Sequence, residues 1–321
     1  MQETMIEITG LSRFYGPTKA LDAISLQVQR GEVMGFLGPN GAGKTTAMRI
    51  LAGILSPSEG SVRIAGLDMI ANPVEARAKI GFLPESPPIY GEMTVREYLH
   101  YLAALRRVDA DHLSSAVAQA MDRCGLTHVA DRLLRNLSKG YQQRAGIAQA
   151  IVHSPEVVIL DEPTVGLDPI QIREIRQLIR DLGGEHSVLL STHILPEVRM
   201  TCNRVAVINQ GRIVADDTLE GLEQKAASKA AFFMRWLCPP DLAVLQNIPG
   251  VAQVRAKEGG WMITPIADQD PIPELLQQSV AQGWDLRELL PASNSLEEIF
   301  LHLTTREEDS LSPVNSQEES V

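Results

Sequence analysis

The chain has 321 residues, 44% apolar and 21% charged, with a net charge of −11. That length allows a large core and about two domains, while the acidic balance works against binding a phosphate backbone, so no nucleic-acid partner is expected. Cys124, Cys202 and Cys238 are far apart and form no CxxC or Cys/His cluster, which argues against a disulfide framework or a zinc site.

Residues 1–9 alternate apolar and polar types and include Glu3 and Glu7, unlike a basic segment leading into an apolar one. Residues 5–11 and 24–28 read as strands by alternation. Residues 32–37 form an apolar run ending at a glycine-rich turn, and 47–55 have helical spacing, stopped by Ser56-Pro57 and Gly60. Short strands follow at 61–64 and at 80–83, the latter closed by Pro84. Residues 94–124 are patterned as helix, with Leu99, Leu102 and Leu105 on one side, and 142–152 as an alanine-rich helix. The continuous apolar run 157–160 suits a strand covered on both faces. An amphipathic helix is expected at 170–182, a buried strand at 188–190, and a hairpin of 205–209 with 212–215 around Gln210-Gly211. Strands alternating with helices predict an α/β fold built on a mostly parallel sheet.

The character changes near 219–229, which is polar and helical. Strands are predicted at 230–237, 252–257, 261–266 and 286–290, with helices at 272–282 and 295–303. Ser295 and Glu298 have capping-box spacing. The predicted organisation is an α/β domain over 1–220, a small α+β domain over 221–304 and a disordered acidic tail over 305–321. No stretch approaches the roughly 20 apolar residues that span a bilayer, so any membrane role needs a separate partner.

The strongest signal is Gly38-Pro39-Asn40-Gly41-Ala42-Gly43-Lys44-Thr45-Thr46, which fits G-x-x-x-x-G-K-[ST] between a predicted strand and a predicted helix. Glycines let successive backbone N–H groups turn inward around a polyphosphate. The helix that follows aims its positive end at the same anion. Lys44 neutralises the outer phosphates, and the Thr45 hydroxyl is a ligand for Mg²⁺ bridging the β and γ phosphates of ATP. The second signal is Val157-Val158-Ile159-Leu160-Asp161-Glu162-Pro163. Its apolar strand delivers two carboxylates to a carboxyl edge, where open α/β sheets bind ligands. Asp161 is expected to support Mg²⁺, and Glu162 to orient and polarise an attacking water.

Leu137-Ser138-Lys139-Gly140-Tyr141-Gln142-Gln143-Arg144 resembles the LSGGQ signature of the ATP-binding cassette (ABC) family. Gly166-Leu167-Asp168 resembles its D-loop, Ser191-Thr192-His193 its switch histidine, and Tyr15 stands where the family stacks an aromatic ring on adenine. The resemblance implies a P-loop cassette with an antiparallel β subdomain and a helical subdomain. It also implies two cassettes sandwiching two ATP molecules head to tail, in which Ser138 and the Gly140 N–H touch the γ-phosphate held by the other copy. His193 would then sense that phosphate. Asp168 would shape the dimer contact, or alternatively cap the helix before Pro169.

Two departures stand out. Glu85 takes the place of the family's usual glutamine; as a carboxylate it can ligate Mg²⁺ but donates no hydrogen bond when ionised. The signature carries Lys139 for glycine and Tyr141 for glutamine, keeping Ser138 and Gly140. Such variants, together with the ending Leu296-Glu297-Glu298-Ile299-Phe300, resemble the ABC-2 exporter group, including ATPases associated with gliding motility. The implied function is an ATP-hydrolysing motor on the inner face of the cell membrane, acting on a separate transmembrane permease and pairing with a second cassette as a homodimer. Residues 86–105 are expected to face that permease, through Pro87, Pro88, Ile89 and Tyr90, unless they are an ordinary solvated loop.

Two other classes fit the sequence less well. A soluble cassette ATPase acting on ribosomes or DNA would carry two cassettes or a long coiled coil, whereas only about ninety residues, with no heptad run, separate Lys44 from Ser138. A regulatory subunit without turnover has no need of Glu162 and His193.

Overall fold

A computed structural model describes residues 3–222, 231–266 and 269–291. The chain divides into two compact units, Met1–Asp217 and Thr218–Val321, a break just ahead of the expected end at 220.

In the first unit, β1 (Thr4–Tyr15) and β2 (Thr18–Gln29) pair antiparallel, and β4 (Glu59–Ile64) and β5 (Leu67–Asp68) extend them into a sheet of order β2-β1-β4-β5. Both long strands outrun the predicted 5–11 and 24–28. Register shifts between Ile8 and Leu11 and again at Arg13 break the two-residue alternation, so pairing continues where the sequence pattern fades.

The second sheet has the order β10-β9-β3-β8-β7-β6, from β3 (Val33–Leu37), β6 (Ile80–Leu83), β7 (Val157–Asp161), β8 (Ser187–Thr192), β9 (Arg204–Asn209) and β10 (Arg212–Thr218). The pairs β6–β7, β7–β8, β8–β3 and β3–β9 are parallel. Every residue of β3, β7 and β8 is buried, which explains their unbroken apolar runs. Phe36, Ile159 and Leu189 share one core with Ile6 and Leu26 of the other sheet. The parallel strands β3, β7 and β8 thereby bring their carboxyl ends, and the loops that follow, to one edge.

The helices are α1 (Lys44–Leu51), α2 (Pro73–Ala78), α3 (Val95–Leu105), α4 (Ala110–Arg123), α5 (Lys139–Ile151), α6 (Pro169–Leu182) and α7 (Leu195–Thr201). The single helical run expected over 94–124 is two helices. Arg107 takes φ 60°, and Val108 N donates to Ala103 O while Arg107 N donates to Ala104 O. This is a Schellman closure made with arginine where glycine is usual, so composition did not signal the break. α1 begins at Lys44 rather than 47 because left-handed Gly43 serves as its N-cap, and α5 begins at Lys139, directly after Ser138, rather than at 142. α2 and α7 were not anticipated; both are short and start on a proline-bearing turn.

The second unit contains the antiparallel sheet β12-β13-β11-β14, from β11 (Phe232–Trp236), β12 (Val251–Lys257), β13 (Gly260–Pro265) and β14 (Leu286–Pro291). Among the described residues it also carries α8 (Leu242–Gln246) and α9 (Ile272–Ala281), and 219–222 are helical. Met234, Trp236, Ile263, Leu275 and Trp284 form the core. Trp236 packs edge-on against Trp284, and its Nε1 donates to Ser279 Oγ at 2.8 Å. Most of the predicted helix 219–229, the predicted helix 295–303 and the tail 305–321 lie outside the described residues.

Candidate functional site

The loop after β3 is shaped by its glycines. Gly41 and Gly43 have φ of 82° and 106°, conformations an L side chain resists. Gly38 is needed for another reason: a Cβ there would stand 2.4 Å from Ile208 O. The loop is tied to its neighbours by Gly38 N donating to Thr192 O and Gly211 N donating to Ala42 O.

Lys44, 6% exposed, turns back over this loop. Its Nζ donates to Gly38 O at 2.8 Å and Pro39 O at 3.2 Å and lies 3.4 Å from Glu162 Oε1. A buried ammonium needs such partners. Glu162 leaves β7 with φ 48°, in the left-handed region, while its N donates to Ser191 Oγ and Ser191 O. That bend lifts its carboxylate out of the strand direction. Ser191 Oγ in turn donates to Asp161 Oδ1, so Asp161 is held within the sheet edge at 1% exposure. His193 follows β8, and its Nδ1 lies 2.9 Å from Glu162 Oε2.

A cavity of about 320 Å³ collects Asn40, Lys44, Thr45, Glu85, Glu162 and His193. Gly41, Gly43 and Thr46 also line it, whereas Tyr15, Gly38, Pro39, Ala42, Ser138, Gly140, Asp161 and Asp168 do not. Tyr15 is 47% exposed, with the Arg13 guanidinium 4.9 Å from its ring centroid. Ser138 is the N-cap of α5 without a side-chain capping bond, leaving its hydroxyl unused by the helix. Gly140 is packed so closely on Gln171 that a Cβ would meet its side chain at 2.6 Å. Asp168 accepts from Ile170 N and Gln171 N at the start of α6, so the capping alternative is realised in this geometry. Of the two signature departures, the Lys139 side chain lies against Gly166, and Tyr141 Oη is 3.0 Å from His128 Nε2.

Residues 21–165 match the ABC transporter family model. The chain is 35% identical over 311 residues, 96% of its length and 98% of the other's, to an uncharacterised ABC transporter ATP-binding protein, YdbJ, of Bacillus subtilis (strain 168). The chain belongs to the ABC transporter ATP-binding family. It is also 33% identical over 96% of its length and 99% of the other's to Nod factor export ATP-binding protein I of Paraburkholderia xenovorans (strain LB400). Its fold matches the dimeric structure of MJ0796, a bacterial ABC transporter cassette, with a TM-score of 0.61 and 25% identity over 67% of this chain and 99% of that one.

As an ABC ATPase the chain binds and hydrolyses ATP. Among its described residues, no helix is long and apolar enough to cross a membrane. Sequence reasoning missed Ala20 and Val165, which also line the cavity, and Glu197 on α7, which is 1% exposed and accepts from both Thr164 and Thr192. The available signal was an acidic residue set between Leu195 and Val198 on the buried side of that helix.

Proposed function

We propose that this ABC ATPase is the motor of an ABC-2-type exporter. In this reading two copies close head to tail over two ATP molecules and drive a separate permease from the cytoplasmic face of the membrane. The observation that carries it is the composition of the cavity. One copy supplies Asn40, Lys44, Thr45, Glu85, Glu162 and His193, while Ser138 and Gly140, at the start of α5, stand outside it. A second copy's Ser138 hydroxyl and Gly140 N–H complete the anion site.

Within that site each residue has a task. Gly38, Pro39, Gly41, Ala42 and Gly43 shape the backbone around the phosphates; Asn40, Lys44 and Thr46 line or neutralise them; Tyr15 stacks on the base. Thr45, Glu85 and Asp161 offer only hydroxyl and carboxylate oxygens, the donor set suited to Mg²⁺. When bound there, Mg²⁺ neutralises charge on the β and γ oxygens. Glu162 polarises the water, and His193, already against Glu162, holds that carboxylate in place and contacts the γ-phosphate.

Export is supported by the likeness to a Nod factor export protein, which extends over 96% of this chain and so beyond residue 220. A permease-facing surface on residues 86–105 is supported by the exposed side chains there. Tyr90, Tyr101 and Leu105 are 51%, 41% and 58% exposed, and Tyr90 packs edge-on against Tyr101, making an apolar ridge. Light scattering of Glu162→Gln protein with millimolar ATP tests the pairing. Dimers that disappear with Lys44→Ala or Ser138→Arg are expected; protein that stays monomeric throughout would reject it.

A further inference from the structure

Glu197 Oε1 accepts from Thr164 Oγ1 at 2.5 Å, and its Oε2 accepts from Thr192 Oγ1 at 2.7 Å. Arg176 Nη2 stands 3.4 Å from Oε1. None of these partners lines the cavity, but two of them flank residues that do. Thr192 ends β8, directly before His193; Thr164 lies two residues after Glu162 in the turn leaving β7; Arg176 lies on α6, about two turns beyond Asp168. The Thr192 hydroxyl is further fixed by accepting from Ile194 N at 3.0 Å. The Arg176 side chain is 17% exposed and its Nε has no hydrogen-bond partner, so Glu197 is where its charge is met.

The strand ends carrying Glu162 and His193 are thus held from both sides. On one side Ser191 links Asp161 to the Glu162 backbone. On the other a single buried carboxylate grips the residue before His193 and the turn after Glu162. We propose that Glu197 is a positioning residue for ATP hydrolysis. It sets the separation of Glu162 and His193, and through Arg176 it ties that separation to the helix that Asp168 caps. Glu197 does not line the cavity, so it acts on the rate of cleavage and not on nucleotide affinity. This rests on the reading of Glu162 and His193 as the hydrolytic pair.

Steady-state ATPase kinetics and binding of a non-hydrolysable ATP analogue are to be measured on the full chain for Glu197→Gln, Thr164→Val, Thr192→Val and the serine variants of both threonines. The carboxamide keeps the size of Glu197 but cannot accept from both hydroxyls and face Arg176. We expect kcat to fall roughly 10–100-fold in Glu197→Gln and in the valine variants. Analogue affinity should stay within about two-fold, and the serine variants should recover most of the rate. Should Glu197→Gln fail to fold, the valine and serine pairs carry the test alone. Affinity or melting temperature falling in step with kcat, without recovery in the serine variants, would reduce Glu197 to a structural tie and overturn the proposal. Full activity in Glu162→Gln would overturn the reading of the site as a whole. Loss in Glu162→Gln beside normal kcat in the Glu197, Thr164 and Thr192 variants would overturn the role of Glu197 alone.

Discussion

Glu162 is shared between a cation and a histidine: its Oε1 lies 3.4 Å from Lys44 Nζ, and its Oε2 lies 2.9 Å from His193 Nδ1. The carboxylate therefore sits where the phosphate loop and the end of β8 meet. Replacing Glu162 by glutamine removes the proposed base and leaves a side chain of the same shape. We expect kcat to fall about 10²–10⁴-fold, the range for loss of a general base, while nucleotide binding is retained. A phosphate-release assay beside a binding titration separates the two; unchanged turnover would remove Glu162 from the chemistry.

Gly38 is packed against the backbone of Ile208 on β9. An alanine there would bring Cβ to 2.4 Å from a carbonyl oxygen that cannot move without disturbing the strand. Gly38→Ala is expected to cost about 1–3 kcal/mol, in the manner of overpacked sites, and to weaken ATP binding as the loop shifts. Denaturant unfolding and nucleotide titration read the two effects.

His153 gives the fold an acid-sensitive point. Burial, reinforced by the Arg106 charge, pushes its pKa down from 6.5 to about 4, and its Nε2 is bonded to Ile80 O. Because the folded value lies below the unfolded one, the contribution is complete above pH 6.5 and is lost as pH falls from there toward 4. The loss amounts to about 3 kcal/mol. His153→Gln, which keeps a donor for Ile80, should flatten the dependence of melting temperature on pH across that window. An unchanged slope would place the acid sensitivity elsewhere.

Thr94 and Glu97 form a reciprocal capping box at the start of α3, with Thr94 Oγ1 accepting from Glu97 N and Thr94 N donating to Glu97 Oε2. Thr94→Ala should destabilise the first unit by about 1 kcal/mol and Thr94→Ser by much less. Paired urea midpoints would show it.

Much of this arrangement was legible in the residues, for identifiable reasons. The phosphate loop combines glycines with a strand and a helix at fixed spacing, and β7 and β8 are buried throughout, so their composition alone marks them. Patterns failed where local geometry departs from the usual residue choice. Arg107 closes α3 in a glycine conformation, and bulges in β1 hide half of the strand. The Glu197 clamp was invisible because it joins Thr164, Arg176, Thr192 and Glu197, which are scattered in the chain and meet only when β7, β8, α6 and α7 pack together.

The backbone carbonyls that hold Lys44 have an energetic consequence. In the proposed mode of binding, an arriving triphosphate does not meet a bare ammonium; it must take over from Gly38, Pro39 and Glu162. Binding is then an exchange of partners at the ammonium, and the affinity measured is a difference between two sets of contacts. In that reading the exchange also releases Glu162 from its cation, so filling the pocket and freeing the carboxylate proposed to polarise the attacking water become one event.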